Sequence, residues 1–251
     1  GGMATTALVA HVVVAKFAWH LPLYRQARMF AGQGIALDRT TLVFWVRRAA
    51  WWLKPLYERL LLFIRSQERV FGDETPLPRL DPGRGRTRIC QLWAQAVDDR
   101  PWQGPARPAV GYVFAEGRNT AAIQDQLAGF DGLLQVDGYA AYNQLVRKDG
   151  GNDGPRLAGC WAHSRRRFYE LHTAGDSQVA TTTVERMAEL WKLEAEVRGQ
   201  GPEARAAARQ AISAPIVAEL FALWQQTLPR ISGKSKLAEA IRYAIARRDI
   251  F

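Results

Sequence analysis

Along the chain the apolar positions change their period twice. Between residues 7 and 64 they recur at helical spacing. Ala7–Ala18 and Leu23–Ala31 hold few breakers, Gly32 and Gly34 interrupt, and Asp38-Arg39-Thr40-Thr41 offers N-cap residues to a third run, Leu42–Ile64. Helix, short glycine-containing turn and capped helix with Trp45 facing inward is the outline of a helix-turn-helix. In that reading Arg39, Arg47 and Arg48 touch DNA, although two packed helices with no DNA give the same pattern.

Near residue 69 the period shortens towards that of strands. Arg69–Thr75, Ile89–Val97 and Ala109–Ala115 read as three strands, separated by a Pro/Gly/Arg-rich turn (Pro76 to Arg88) and the loop Asp98 to Pro108. A short helix (Asn119–Gln126), a Gly-bounded apolar strand (Gly132–Val136), a helix (Tyr139–Arg147), a fifth strand (Arg156–Trp161) and a basic helix (His163–His172) follow. This β-β-β-α-β-α-β-α order predicts a mixed sheet with helices on its faces. From Asp176 to Leu228 the chain is Ala/Glu/Arg-rich and helical. Val184, Met187, Trp191, Leu193 and Val197 form its apolar stripe, Glu194–Arg198 an i,i+4 pair, and Pro202 and Pro215 mark starts of turns. Lys234–Arg248 is a last basic helix.

Composition narrows the class. With 48% hydrophobic and 23% charged residues in 251, the chain is long and apolar enough for a real core, which excludes a wholly disordered protein. The net charge of +10 favours a polyanionic partner. It is uneven: residues 1–72 carry +7, residues 73–160 carry −1 and residues 161–251 carry +4. An acid-containing middle between basic flanks suits an active site set between surfaces that grip phosphates, and a solvated basic surface has the same composition. Cys90 and Cys160 are too few for a disulfide framework, and the C-x-x-H of Cys160 and His163 has no second pair to make a zinc site. No membrane span is expected, since Arg47, Arg48, Lys54 and Arg59 break the apolar run Leu42–Ile64. The run Ala7–Ala15 has no basic segment before it and contains His11, unlike a signal peptide.

Two acidic residues end predicted strands: Asp73 in Gly72-Asp73-Glu74-Thr75-Pro76 and Asp137 in Val136-Asp137-Gly138-Tyr139. If strands one and four are neighbours, both carboxylates emerge at one edge and make a hard-oxygen site suited to Mg²⁺. Divalent ions so held can activate a water or 3′-hydroxyl for attack on a phosphodiester. Strand-end Asp residues also serve as turn formers, as Asp137 before Gly138 could. Glu74, next in its strand, is expected on the opposite face from Asp73.

The words His20-Leu21-Pro22-Leu23-Tyr24-Arg25-Gln26, Asp73-Glu74-Thr75-Pro76, Leu80-Asp81-Pro82-Gly83-Arg84-Gly85, Asp98-Asp99-Arg100-Pro101-Trp102, Gln135-Val136-Asp137-Gly138-Tyr139 and Cys160-Trp161-Ala162-His163 resemble, in order, the transposases of the insertion sequence 66 family. The resemblance runs from about residue 3 to about residue 246 and implies a DDE transposase with a ribonuclease-H-like α/β core. It implies Mg²⁺ (or Mn²⁺) as cofactor, with Asp73 the bridge between two ions and Asp137 a ligand of one. It also implies transposon ends and target DNA as partners, homo-oligomers on DNA, no membrane, and a place in the bacterial cytoplasm or nucleoid. Arg165, Arg166 and Arg167 are expected near phosphates, a solvated helix face being the rival reading.

The expected organisation is a helical N-terminal segment over residues 1–68, a ribonuclease-H-like core over 69–175, a helical insertion over 176–229 and the start of a C-terminal core helix over 230–251. The family's third carboxylate belongs to an Asp-Asn-Asn-x-x-Glu-Arg type word, which these residues lack, and Glu239 lies on the helix before its place. The resemblance therefore carries the expectation of a copy truncated at both ends and inactive in cutting. A non-catalytic DNA-binding remnant or regulator of transposition is the alternative.

Overall fold

The computed structural model of the chain describes residues 4–81, 83–145 and 154–251, in two compact units, Gly1–Leu61 and Leu62–Phe251. The first unit is helical, as its period predicts. Helix α1 (Thr6–Phe17) is capped by the Thr5 hydroxyl, which accepts from the Leu8 amide at 3.2 Å. Helix α2 (Leu23–Gly32) follows, then α3 (Arg39–Arg65), which begins where Asp38 Oδ1 accepts from the Thr40 amide at 2.9 Å. Val12, Leu23 and Leu42 form a small core, with Trp45 packed against it. The buried Gln26 side chain donates its Nε2 to the carbonyls of Val12 and Leu21, at 3.3 and 3.0 Å, while its Oε1 is buried without a partner.

The second unit carries a five-stranded sheet in the order β3-β2-β1-β4-β5. Its strands are β1 (Arg69–Asp81), β2 (Arg86–Val97), β3 (Ala109–Ala115), β4 (Leu133–Val136) and β5 (Arg156–Gly159). The first three pair antiparallel, while β1–β4 and β4–β5 are parallel, so the chain forms the mixed α/β sheet expected from its element order. Helix α4 (Thr120–Gln126) starts at Asn119, whose side chain accepts from the Ala122 amide at 2.9 Å.

Two expectations need correction here. Pro76 to Arg88 is not a turn but the outer half of a long hairpin, running from Phe71↔Ala96 out to Asp81↔Arg86. A proline fits a ladder only where its nitrogen faces away from the partner strand. Pro76 and Pro78, two residues apart, share that outward edge, and β4 leaves it open by pairing only with Arg69–Phe71. The expected helix Tyr139–Arg147 is a 3-10 turn, Ala140–Gln144, as far as Leu145; Val146 and Arg147 lie outside the described residues.

Helices α5 (Trp161–Thr173), α6 (Gln178–Glu196), α7 (Pro202–Ala208), α8 (Ala214–Thr227) and α9 (Lys236–Ile245) complete the unit, with a π turn, Arg209–Ser213, between α7 and α8. The helices of the expected insertion pack on the helices that flank it. Phe168 of α5, Met187 of α6, Trp224 of α8 and Ile241 of α9 share one fully buried core. Leu190, not Trp191, completes the buried stripe of α6, and Trp191 is exposed. Glu194 turns to Arg205 and Arg209 rather than to Arg198, because α7 and the π turn bring two guanidinium groups against it. Pro202–Arg230 is long and apolar enough to cross a membrane, and four of its apolar residues, Ile216, Leu220, Phe221 and Trp224, are buried in this core.

Candidate active site

Strands β1 and β4 are parallel neighbours in the register Arg69↔Leu133 to Phe71↔Gln135. Extending that offset by two residues sets Asp73 level with Asp137, just past the end of the parallel pairing. Asp137 follows the last residue of β4, but Asp73 does not end its strand as expected, because β1 continues past it on β2, with Asp73 opposite Ala94. Asp73 is exposed, and its Oδ1 accepts from the Glu74 amide at 2.9 Å.

Asp137 opens a turn as well as ending a strand. Its Oδ1 accepts from the Tyr139 amide at 2.8 Å, and Gly138 takes φ +82°. A side chain on Gly138 would also collide with Arg247, whose Nη2 donates to the Gly138 carbonyl at 2.5 Å. The Tyr243 hydroxyl donates to the Asp137 carbonyl, and Arg247 stacks 3.8 Å from the Tyr243 ring. Tyr243 of α9 and Arg247, just past its end, therefore fix the backbone of this turn and leave Asp137 Oδ2 to other partners.

Glu74 lies on the Gly72 face of β1, opposite Asp73, and its side chain is 5% exposed. One nitrogen serves two carboxylates here: Arg118 Nη2 forms an ion pair with Glu74 Oε1 and stands 3.9 Å from Asp137 Oδ2. Tyr139 holds Arg118 in place, with its ring 3.7 Å from the guanidinium and its hydroxyl donating to the Arg118 carbonyl at 3.2 Å. Burial, and then the Asp137 charge, raise the Glu74 pKa above the ordinary carboxylate value, and Glu74 Oε2 is buried without a hydrogen-bond partner. Beneath them Tyr142 is buried against Trp93, and burial raises its pKa.

These donors suit a hard divalent cation in kind: carboxylate oxygens, one of them unpartnered, with an arginine nitrogen already between two of them. Among the described residues, no three His, Cys, Asp or Glu side chains stand close enough to share one ion.

The basic residues singled out from sequence divide by surroundings. On α5, Arg167 pairs with Glu239 at 3.1 Å and lies over Tyr243, and Arg165 lies over Tyr169 and Trp191. Arg166 is exposed and lines an opening of about 450 Å³ with Arg165 and Trp191. In the first unit Arg39, Arg47 and Arg48 are exposed on α3, with Arg48 over the rings of Trp51 and Trp52 at 4.9 and 5.5 Å. Cys160 caps α5, and His163 Nδ1 is buried without a partner. Sequence spacing pointed to neither Arg118 nor the Tyr243–Arg247 clamp. Arg118 belongs to the loop before α4, and the clamp reaches Asp137 from more than a hundred residues away.

A mixed α/β sheet with acidic residues where the parallel pairing of two adjoining strands ends defines the class: an α/β protein with a carboxylate site on its central strands. Within it the chain belongs to the IS66 transposase family, whose model (Transposase IS66 family) matches residues 1–251. It is similar to two Sinorhizobium fredii proteins described as uncharacterised. It is 60% identical to y4jD over 248 residues, covering 98% of this chain and 48% of y4jD. It is 48% identical to y4qI over 251 residues, covering 99% of this chain and 47% of y4qI. The chain thus spans about half the length of the curated relatives it matches.

Proposed function

We propose that this chain carries the metal-binding heart of a DDE transposase, a ribonuclease-H-like core that acts on the ends of a mobile element and on target DNA. The observation that carries the reading is the register of β1 on β4, which sets Asp73 level with Asp137 in a member of this family. The strand order, antiparallel through β3-β2-β1 and parallel through β1-β4-β5, supports the same core. Asp73 and Asp137 hold Mg²⁺ or Mn²⁺, which supplies the Lewis acidity for hydrolysis and strand transfer. The chain's own residues do the positioning. Tyr243 and Arg247 fix the Asp137 turn, Tyr139 fixes Arg118, and Arg118 balances the Glu74 and Asp137 charges. Arg39, Arg47, Arg48 and Arg166 grip phosphates, and the protein works as a homo-oligomer on DNA in the bacterial cytoplasm.

The test is Mn²⁺ binding followed by electron paramagnetic resonance. Asp73→Asn and Asp137→Asn should each weaken binding at least about tenfold. Equal affinity in both variants and the parent would sink the reading. A second reading is favoured because no Asn-Asn-x-x-Glu-Arg word occurs in these residues: the chain alone binds element ends without cutting them. It predicts no Mg²⁺- or Mn²⁺-dependent nicking of end DNA by this chain, and nicking abolished by Asp73→Ala would overturn it.

A further inference from the structure

Beyond the carboxylate site, the hairpin of β1 and β2 runs out past the rest of the sheet. Strand β3 covers β2 only from Gln91 onward, and β4 covers β1 only as far as Phe71. From Pro78↔Ile89 to Asp81↔Arg86 the two strands have only each other among the described residues, roughly 13 Å of ribbon at about 3.3 Å per residue. Every described residue in 75–81 and 83–89 is exposed except Asp81, so neither face of this ribbon joins a core. A lone two-stranded ribbon is marginal in water, which makes a bound partner part of its stability.

The ribbon's charge and edges select that partner. It carries Arg79, Arg84, Arg86 and Arg88 against Asp81. Arg79 and Arg88 face each other in register, and like charges so placed repel. Glu116, just past β3, removes the conflict by pairing with both, at 3.3 and 3.2 Å, and so braces the base of the ribbon. Near the tip Arg84 has only a long contact with Asp81, 3.6 Å, and Arg86 forms no ion pair among the described residues. Pro76 and Pro78 deny the outer edge of β1 the amides that an added strand would need.

We propose that this ribbon is a DNA-gripping arm: it lies along duplex DNA, whose major groove admits a two-stranded β-ribbon, and Arg84 and Arg86 take phosphates there. This rests on the reading that the chain binds DNA, and assigns that binding a place which neither the carboxylates nor the α3 arginines supply.

The test is fluorescence anisotropy of a labelled duplex titrated with the whole chain at several salt concentrations. Arg84→Ala/Arg86→Ala should make the slope of log K against log salt shallower by about 1.8, at about 0.9 per lost phosphate contact. Trypsin should cut after Arg84 and Arg86 in the parent alone and be blocked there by duplex DNA. Both side chains are exposed, so the double variant should keep the parent's thermal midpoint, and the protection experiment needs no variant. A parent that binds DNA with an unchanged slope in the double variant, or with no protection at the tip, overturns the arm and leaves the proposed function standing. A parent that binds no DNA at low salt overturns both. A double variant that changes only sedimentation assigns the ribbon to a second copy of the chain and overturns the arm.

Discussion

The two compact units treat their large apolar side chains in opposite ways. In the second, Trp224 is fully buried, stacked on Phe168 at 5.2 Å, edge-on to Phe221 at 5.0 Å, with its indole N–H donating to Thr183 at 3.1 Å. In the first, α3 leaves Phe44, Trp51, Trp52 and Leu56 between 60 and 68% exposed. Charge follows the same division. Most arginines of α5–α9 that face a carboxylate are paired with it, whereas the ion pair of α3 among the described residues is Lys54–Glu58. Composition alone does not separate a helix that builds a core from one that presents a surface, because both are rich in Trp, Leu and Arg. Convergence of several helices on one stripe separates them: α5, α6, α8 and α9 meet on a common core, while most of α3 meets none.

The largest expected effect tests that contrast directly. Trp224→Ala removes a fully packed indole and strands the Thr183 hydroxyl, and should cost about 3–5 kcal/mol of unfolding free energy. Trp51→Ala, on the exposed row, should stay within about 0.5 kcal/mol. Urea titrations followed by circular dichroism measure both. Equal losses in the two variants would mean that the α3 row is covered in solution, and the contrast between units would fall.

The elements were legible in the sequence, but the contrast between the units was not. The helices of the first unit follow from a 3.6-residue period with a cap at Asp38, and the mixed sheet follows from the element order. The neighbouring of β1 and β4, which the sequence left as a condition, comes from the strand order itself. The misses have physical causes. Pro76 and Pro78 read as strand breakers because sequence does not show that both face an open edge. Glu194 was matched with Arg198 at helical spacing, whereas a helix end and a π turn farther along the chain supply Arg205 and Arg209. In the candidate site, Asp137 was readable as a strand-end acid, whereas Asp73, read the same way because Pro76 looked like a breaker, lies within β1. Arg118 was not, since only the folded loop before α4 brings its charge between Glu74 and Asp137.

A smaller effect separates the units by pH. Arg209, with Arg205 beside it at 2.6 Å, holds the Glu194 carboxyl down at about 2 against an ordinary 4.5. A carboxylate depressed in the folded state contributes stability above its unfolded pKa and loses it as pH falls through the folded one. Glu194 therefore stabilises the second unit fully above pH 4.5, and that contribution drains away towards pH 2. Glu194→Gln should lower the urea midpoint at pH 7 and flatten its decline between those pH values. A parallel decline in parent and variant would show that acid acts elsewhere.

The smallest effect on stability is expected where the effect on binding is distinct. Arg47 and Arg48 are exposed on α3 and belong to no ion pair among the described residues, so Arg47→Ala and Arg48→Ala should each leave the urea midpoint within about 0.5 kcal/mol of the parent. If α3 faces phosphates, each loss lowers DNA affinity and makes the salt slope shallower by about 0.9. The two should still differ. Arg48 spreads its charge over Trp51 and Trp52, so removing it also bares two rings, whereas Arg47 has no such contact among the described residues. Loss of Arg48 should therefore also change the tryptophan emission of the unbound protein, and loss of Arg47 should not. Unchanged slopes in both variants would make α3 a solvated basic helix and leave the contact with DNA to the second unit.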